Sequence, residues 1–329
     1  LETAILDTDR QLAANGIATA YHALTLGWAP GLRSVGRGRE YIDALTRLGP
    51  RLAVDNRVQL RWETFAFEAL DLIEEALANP HTPSVAFNDH TSMMLRDFDV
   101  RIQQRAFEQS PDYRLADWND PRLAARMESE AKRSGLGVPD YMELLARVWA
   151  RRGEVDGAIR RVAMAARQVG AAMLSHDDTQ VETRDYYRAL GADVAEFPMQ
   201  FHVAEAARAT GDAIVFGAPN ACRGGSHIGS PAAGDMVEAG LCDALASDYY
   251  YPAMLAAVSR LDAEARAPRH KLWQLISTGP ASASGLSDRG EIASGQRADI
   301  VLVDWPEGAM PAVRMTLVAG RMAYRADIA

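Results

Sequence analysis

The segment from Gly217 to Ser230 carries side chains suited to hold an anion. It reads GAPNACRGGSHIGS, follows the apolar run 213–216, and contains four glycines together with Arg223 and His227. Glycine lets backbone N–H groups approach an anion closely, arginine offers a bidentate fork, and histidine adds a titratable donor. The pattern predicts a phosphate-binding loop, although it lacks the Gly-Lys-Ser/Thr ending of a P-loop. An ordinary glycine-rich turn is the alternative that composition alone leaves open.

Acidic and histidine side chains recur where apolar runs end. They are Glu63, Asp89 with His90, His176 with Asp177 and Asp178, Glu196, and Asp248. Because the carboxyl ends of parallel strands meet at one face of a barrel, we expect these groups to form a shared catalytic site. A histidine beside acidic residues suits a divalent metal ligand with a supporting carboxylate. One such histidine could equally be a capping or core residue, so the prediction depends on the repetition.

The elements that must position these residues follow from hydrophobic periodicity. Short apolar runs alternate with longer amphipathic stretches, which is typical of βα units around a parallel sheet. Strands are predicted at 16–24, 58–63, 84–88, 171–175, 194–197, 213–216 and 244–247, and helices at 1–16, 67–78 and 141–168 among others.

Two segments depart from this rhythm. The charged stretch 91–137 predicts a helical insertion above the barrel mouth, either a lid or a solvated decoration. After residue 281, short strands at 289–292, 298–304, 313–318 and 320–324 predict a small β module.

Composition limits the class of protein. With 329 residues, of which 48% are hydrophobic and 24% charged, the chain can bury a large core. The formal net charge of −9 argues against a nucleic-acid or anionic-membrane partner. Cys222 and Cys242 form no disulfide framework and no metal-binding spacing, which favours a reducing, cytoplasmic compartment. The chain opens at Leu1 within a predicted helix and without an initiator Met, so we expect a segment upstream of it.

Seven short motifs lie along the chain at the ends of the predicted strands. They are Arg61-Trp62-Glu63, Asp89-His90, Ser175-His176-Asp177-Asp178-Thr179, Glu196-Phe197-Pro198, Gly217-Ala218-Pro219-Asn220, Arg223-Gly224-Gly225-Ser226-His227 and Ser247-Asp248-Tyr249. In order and spacing they resemble the PhnM family of the carbon–phosphorus lyase pathway, within the amidohydrolase superfamily. The tail from Asp288 to Leu302 is similar to the closing strands of amidohydrolase-superfamily enzymes in general.

The resemblance implies an α/β fold, a (β/α)₈ TIM barrel of amidohydrolase type with a small β-sandwich module formed by the chain ends. Residues 1–281 would form the barrel without its first strand, and residues 282–329 the C-terminal part of the module. The implied activity is hydrolysis of α-D-ribose 1-methylphosphonate 5-triphosphate to the 5-phosphate and pyrophosphate. The alternatives are a divergent amidohydrolase acting on a cyclic amide or amine, or a non-catalytic barrel that binds a phosphorylated ligand.

The resemblance also implies a cofactor and roles for individual residues. The cofactor is a divalent metal, one or two ions of zinc, with Mn or Fe as alternatives. Its ligands would be Glu63, His90, His176 and Asp248, with Asp248 and His176 catalytic and Asp248 taking the proton from the attacking water. Asn220, Arg223, Gly224, Gly225 and His227 would hold the phosphorylated small-molecule substrate. No nucleic-acid or membrane partner is expected, and the superfamily's habit of dimerising implies a homodimer.

Overall fold

The computed structural model describes residues 1–226 and 228–326. The chain divides into two compact units. The terminal unit comprises Leu1–His22, Ala44–Arg57 and Val194–Ala329, and the central unit comprises Ala23–Asp43 and Val58–Asp193. Each unit has its own hydrophobic core, around Trp62, Ile73 and Ile159 in the central unit and around Ile214, Met236 and Val258 in the terminal unit.

Seven strands confirm the predicted βα alternation. They are β1 (Thr19–Leu26), β2 (Asp55–Glu63), β3 (Ser84–Asn88), β4 (Met173–His176), β5 (Val194–Glu196), β6 (Ala213–Gly217) and β7 (Ala244–Ala246). In the central unit β2 pairs with β3 and β3 with β4, all parallel. In the terminal unit β5, β6 and β7 pair in the same parallel manner. Every residue of β3 is buried, as expected for a parallel strand covered on both faces.

The helices follow the strands as the periodicity predicted. They are α1 (Glu2–Ala14), α2 (Val35–Leu48), α3 (Leu70–Leu77), α4 (His90–Leu95), α5 (Pro121–Arg133), α6 (Val138–Trp149), α7 (Val155–Gln168), α8 (Val181–Ala189), α9 (Phe201–Ala209), α10 (Ala218–Arg223), α11 (Ala233–Glu238), α12 (Ala253–Ala263), α13 (Arg269–Gln274) and α14 (Thr278–Ala283). Short 3₁₀ turns occupy Gly49–Arg51, Phe67–Ala69, Ile102–Gln104 and Arg152–Glu154. No helix in the described ranges is both long and apolar enough to cross a membrane.

Two of the predicted helices need correction. The single helix expected over 141–168 is two helices, α6 and α7, because the polar run Arg151-Arg152-Gly153-Glu154 interrupts the apolar periodicity and includes the 3₁₀ turn Arg152–Glu154. The insertion 91–137 is helical only near its ends, in α4 and α5, and its middle is largely irregular. It is nevertheless packed, because Leu95, Leu123 and Met127 are buried in one cluster with residues of α6.

The C-terminal segment forms a three-stranded antiparallel sheet. Its strands are β8 (Ile300–Asp304), β9 (Ala312–Val318) and β10 (Arg321–Arg325), in the order β10-β9-β8. The strand predicted at Arg289–Ile292 is wrong. Gly290 has φ +102°, which no extended strand adopts, and Arg289 donates hydrogen bonds to Asp55 and Thr19. The domain boundary predicted at residue 281 stays a prediction.

Candidate functional site

Two histidines and one aspartate converge in the central unit. His90 begins α4 directly after β3, His176 ends β4, and Asp177 follows it. One nitrogen of each histidine and one oxygen of Asp177 lie within 4.8 Å of one another. His176 Nε2 is 3.5 Å and His90 Nε2 is 4.0 Å from Asp177 Oδ2. Imidazole and carboxylate groups are the ligands of many zinc sites, so this cluster suits a divalent ion.

Glu63 orients one of the two imidazoles. It ends β2, and its Oε1 lies 2.6 Å from His90 Nδ1 while its Oε2 accepts the His90 backbone N–H at 3.1 Å. This fixes the ring with Nε2 towards Asp177, the arrangement in which a carboxylate supports a metal-binding histidine from behind. The structure therefore shows Glu63 as the hydrogen-bond partner of a candidate ligand, whereas its predicted role as a ligand stays a prediction.

The Glu63 carboxylate and the His90 imidazole shift each other's pKa. Burial raises the pKa of Glu63, but the charge and hydrogen bonds of His90, with Arg61 adding, outweigh burial and lower that pKa. Burial lowers the pKa of His90, but Glu63 outweighs it and the pKa of His90 is raised. The short contact between the two side chains therefore contributes to both pKa shifts.

Arg61 contacts the other imidazole. It lies two residues before Glu63 on β2, hence on the same face of the strand, and its Nη2 is 2.9 Å from His176 Nε2. Its Nε donates to Asn88 Oδ1 at 3.1 Å, and the Asn88 amide donates in turn to the Ala86 carbonyl. A guanidinium is always a donor, so Arg61 occupies the nitrogen lone pair that His176 would offer to a metal through Nε2.

The remaining acidic residues of these two strand ends, Asp89 and Asp178, contact groups outside the cluster. Asp89 caps α4 and accepts hydrogen bonds from the Ser92 N–H and hydroxyl; burial, with Glu108 adding like charge, raises the pKa of Asp89 to about 7. Asp178 is buried, accepts the Ser175 hydroxyl and pairs with Arg184. Asp89 therefore holds the first turn of α4, whereas Asp178 contacts the side chains of Ser175 and Arg184.

Three strand ends have left-handed backbone. Asp177 follows β4, Phe197 follows β5 and Asp248 follows β7 by two residues, with φ of 59°, 59° and 51°. This region is sparsely populated by residues other than glycine, and such conformations concentrate at functional sites. Each of them turns the chain sharply where its strand ends. The buried Glu196, the last residue of β5, directly precedes one of these turns.

The predicted phosphate loop is in part a helix. Residues 218–223 form α10, which ends at the left-handed Gly224. The N–H groups of Gly224 and Gly225 both donate to the Asn220 carbonyl, as in a glycine helix cap. The Asn220 side chain binds the backbone of Pro231 and Ala233. The expectation of an open loop is wrong for 218–223, because Pro219 near the start and Gly224 at the end favour a helix.

Of the predicted substrate-binding groups, Arg223 lies at the surface and His227 lies outside the described residues. The exposed Arg223 donates to the Tyr249 hydroxyl, with its guanidinium 5.9 Å from the centre of that ring. The assignment of Asn220, Arg223, Gly224, Gly225 and His227 to substrate stays a prediction. So does the metal and proton-transfer role of Asp248.

Sequence reasoning gave Arg61 no role and did not name Asp177 as a metal ligand. The signals were present in both cases. The spacing Arg61-x-Glu63 on a strand places both side chains on one face, and Asp177 directly follows a histidine at a strand end. What the sequence alone could not give is the contact between Arg61 and His176, which are 115 positions apart.

The chain is similar to known proteins in sequence. The model of the amidohydrolase family matches residues 142–324. The α-D-ribose 1-methylphosphonate 5-triphosphate diphosphatase of Escherichia coli (strain K12) is 32% identical over 308 residues, which cover 91% of this chain and 75% of the relative.

Solved structures show the same fold. The dihydropyrimidinase of Brevibacillus agri NCHU1002 matches with a TM-score of 0.54 and 12% identity, covering 97% of this chain and 79% of that chain. The L-hydantoinase of Arthrobacter aurescens matches with a TM-score of 0.54 and 12% identity, covering 97% of this chain and 80% of that chain. Together with the seven parallel strands and the C-terminal antiparallel sheet, these likenesses confirm the predicted amidohydrolase-type α/β barrel class.

Proposed function

Because the chain belongs to the amidohydrolase family and is PhnM-like within it, we propose that it is a metal-dependent hydrolase of phosphonate metabolism. The proposed reaction is hydrolysis of α-D-ribose 1-methylphosphonate 5-triphosphate to the 5-phosphate and pyrophosphate. The observation that carries it is the 32% identity to a diphosphatase named for this substrate, over 91% of the chain. The strand-end cluster supplies groups that such a reaction needs.

The donor set fits a divalent metal. His90, His176 and Asp177 would hold the ion, because their donor atoms already lie within 4.8 Å of one another. When bound, the ion would supply the positive charge that polarises a phosphoryl oxygen and makes water more acidic. Zinc suits this mixed nitrogen and oxygen set, and Mn or Fe are the alternatives.

In the proposal, residues of the chain orient the metal-binding side chains, accept the proton of the attacking water and neutralise the charge of the phosphates. Glu63 holds the His90 ring so that Nε2 stays available, and the left-handed backbone at Asp177 turns its carboxylate towards His176. In the proposal Asp248 accepts the proton of the attacking water. Arg223 offers a charged fork for a phosphate, assisted by Asn220, Gly224, Gly225 and His227.

The reaction can be tested directly. Purified protein, supplied with Zn²⁺ or Mn²⁺, is incubated with the ribose triphosphate, and the products are resolved by phosphorus NMR. We expect pyrophosphate and the 5-phosphate in equal amounts. Release of single phosphate alone, or no release with metal supplied, would count against the diphosphatase assignment.

Matched variants test the site. Asp177→Asn should abolish most of the activity, because it removes the only charged oxygen donor of the described cluster. Asp185→Asn, an exposed change on α8 in the same unit, should leave the activity unchanged. Arg223→Ala should raise KM for the triphosphate; full activity of this variant on a cyclic amide would instead favour the amidohydrolase alternative.

Compartment and assembly belong to the same proposal. Cys222 and Cys242 are free thiols, which suits the reducing cytoplasm. We also propose a homodimer, which light scattering of the purified protein would detect as twice the chain mass.

A further inference from the structure

We infer that Arg105, from the insertion 91–137, is a positioning residue that holds the Asp177 carboxylate of the candidate metal centre. The inference rests on the proposed function only in so far as it takes the His90, His176 and Asp177 cluster to bind a metal. It gives the insertion a role other than that of a lid or a solvated decoration.

Arg105 is joined to the backbone at Asp177 by a partly buried hydrogen bond. It follows the 3₁₀ turn Ile102–Gln104, is 3% exposed, and its Nη2 donates to the Asp177 carbonyl oxygen at 2.6 Å. Its Nε donates to Glu108 Oε1 at 2.9 Å and its Nη1 to the Ile102 carbonyl at 3.0 Å. Three donors of one planar guanidinium are therefore committed, which fixes its position.

The loop after β4 returns the contact. Thr179 Oγ1 donates to the Arg105 carbonyl oxygen at 2.8 Å, and Gln180 Nε2 donates to the same oxygen at 2.9 Å. Arg105 thus binds Asp177 with its side chain and residues 179–180 with its backbone. The two segments, 72 or more positions apart, are held together from both sides.

We call the hydrogen bonds between Arg105 and residues 177, 179 and 180 the clamp. The clamp holds a segment whose backbone is strained. Asp177 has φ of 59°, a conformation that costs a residue other than glycine about 1–2 kcal/mol and persists only when its surroundings enforce it. The direction of the Asp177 carboxylate depends on that conformation, because φ sets where Cβ points. Without the Arg105 hydrogen bond, Asp177 can relax to a common conformation and turn its carboxylate away from His176.

The charge of Arg105 does not oppose a metal. Glu108, buried and 2.9 Å away, pairs with it, so the clamp adds orientation with little net charge. Loss of the clamp should therefore weaken metal binding through geometry, the way loss of groups that orient ligands usually does.

The experiment compares Arg105→Met and Arg105→Lys with Arg152→Met. Arg152 is the matched control, because its Nη2 donates to the carbonyls of Glu108 and Ser110 in the same insertion at 2.8 and 2.7 Å. The dissociation constant for Zn²⁺ is measured by competition with a chromophoric chelator. We expect a weakening of about 10- to 100-fold for Arg105→Met, less for Arg105→Lys, and about twofold or less for Arg152→Met.

Hydrogen exchange of the metal-free protein gives a second readout, independent of any metal. We expect the amides of residues 177–180 to exchange faster in Arg105→Met and unchanged in Arg152→Met. Equal Zn²⁺ affinity in wild type and Arg105→Met, or equal loss in both Met variants, would overturn the inference. A wild type that binds neither Zn²⁺, Mn²⁺ nor Fe²⁺ would overturn the metal part of the proposed function instead, and unchanged exchange at 177–180 would then overturn the clamp as well.

Discussion

Replacing Arg61 by Met should tighten metal binding. In the metal-free protein the Arg61 guanidinium donates to His176 Nε2 at 2.9 Å, and a metal that uses this nitrogen must displace it. A hydrogen bond made by a charged group contributes about 1.5–3 kcal/mol net. Since about 1.4 kcal/mol corresponds to a factor of ten, Arg61→Met should lower the Zn²⁺ dissociation constant by about 10- to 100-fold.

The same substitution should destabilise the metal-free protein. Removing the guanidinium also leaves the buried Asn88 Oδ1 without the Arg61 donor, a loss of about 1–3 kcal/mol. Stability and affinity should therefore change in opposite directions, a combination that general loosening of the fold does not produce. The assay pairs chelator competition for the affinity with urea denaturation, in the presence of a chelator, for the stability.

The control removes one positive charge elsewhere in the central unit. Arg39 on α2 is exposed and pairs with Glu75, so Arg39→Met should change neither quantity appreciably. A dissociation constant for Arg61→Met equal to or weaker than that of wild type would refute the reasoning. It would mean that Arg61 does not compete for the nitrogen that binds the ion.

Three further substitutions test the fold and its response to pH. Gly157→Ala in α7, where an added Cβ meets nothing within 4 Å, should stabilise by about 0.5–1 kcal/mol in urea denaturation. Gly279→Ala should destabilise by about 1–3 kcal/mol or more, since its Cβ would lie 1.9 Å from the Asp243 carbonyl oxygen; unchanged stability would contradict the packing described. Burial lowers the pKa of His22 below its ordinary 6.5 despite the hydrogen bond to Asn56, so the unfolded chain binds this proton at higher pH than the folded protein does. His22→Gln should therefore make stability fall less steeply than in wild type as pH drops below about 6.5, and parallel curves would count against it.

Local pattern predicted the strands and the polar groups at their ends. The positions of β1 to β7 agree with the predicted runs to within a few residues, because a buried parallel strand leaves a short apolar run between turn signals. His90 and His176 were found because each follows such a run. The open-loop prediction for residues 218–223 is wrong because Pro219 and Gly224, at the two ends of the segment, favour a helix more strongly than the glycine content favours a loop.

Contacts between residues far apart in the sequence could not be predicted from local sequence pattern. Arg105 lies in an irregular segment with no periodic signal, yet it reaches Asp177, 72 positions away. Likewise, the residues near Arg289 in the sequence do not predict its ion pair with Asp55. Residues 289–292 form no strand in the structure. Such contacts depend on how the chain folds back on itself, and neither composition nor spacing contains that information.

Under the proposed function, the left-handed residues after β4 and β7 limit how far this protein can be stabilised without loss of activity. Glycine at Asp177, Phe197 or Asp248 would relieve backbone strain, yet it would also remove the side chain that the turn presents. A search for thermostable variants that scores folding alone would favour such changes, including those that remove the Asp177 and Asp248 carboxylates on which the proposed function depends. Engineering of this protein should therefore gain stability at sites such as Gly157 and leave the turns at Asp177 and Asp248 untouched.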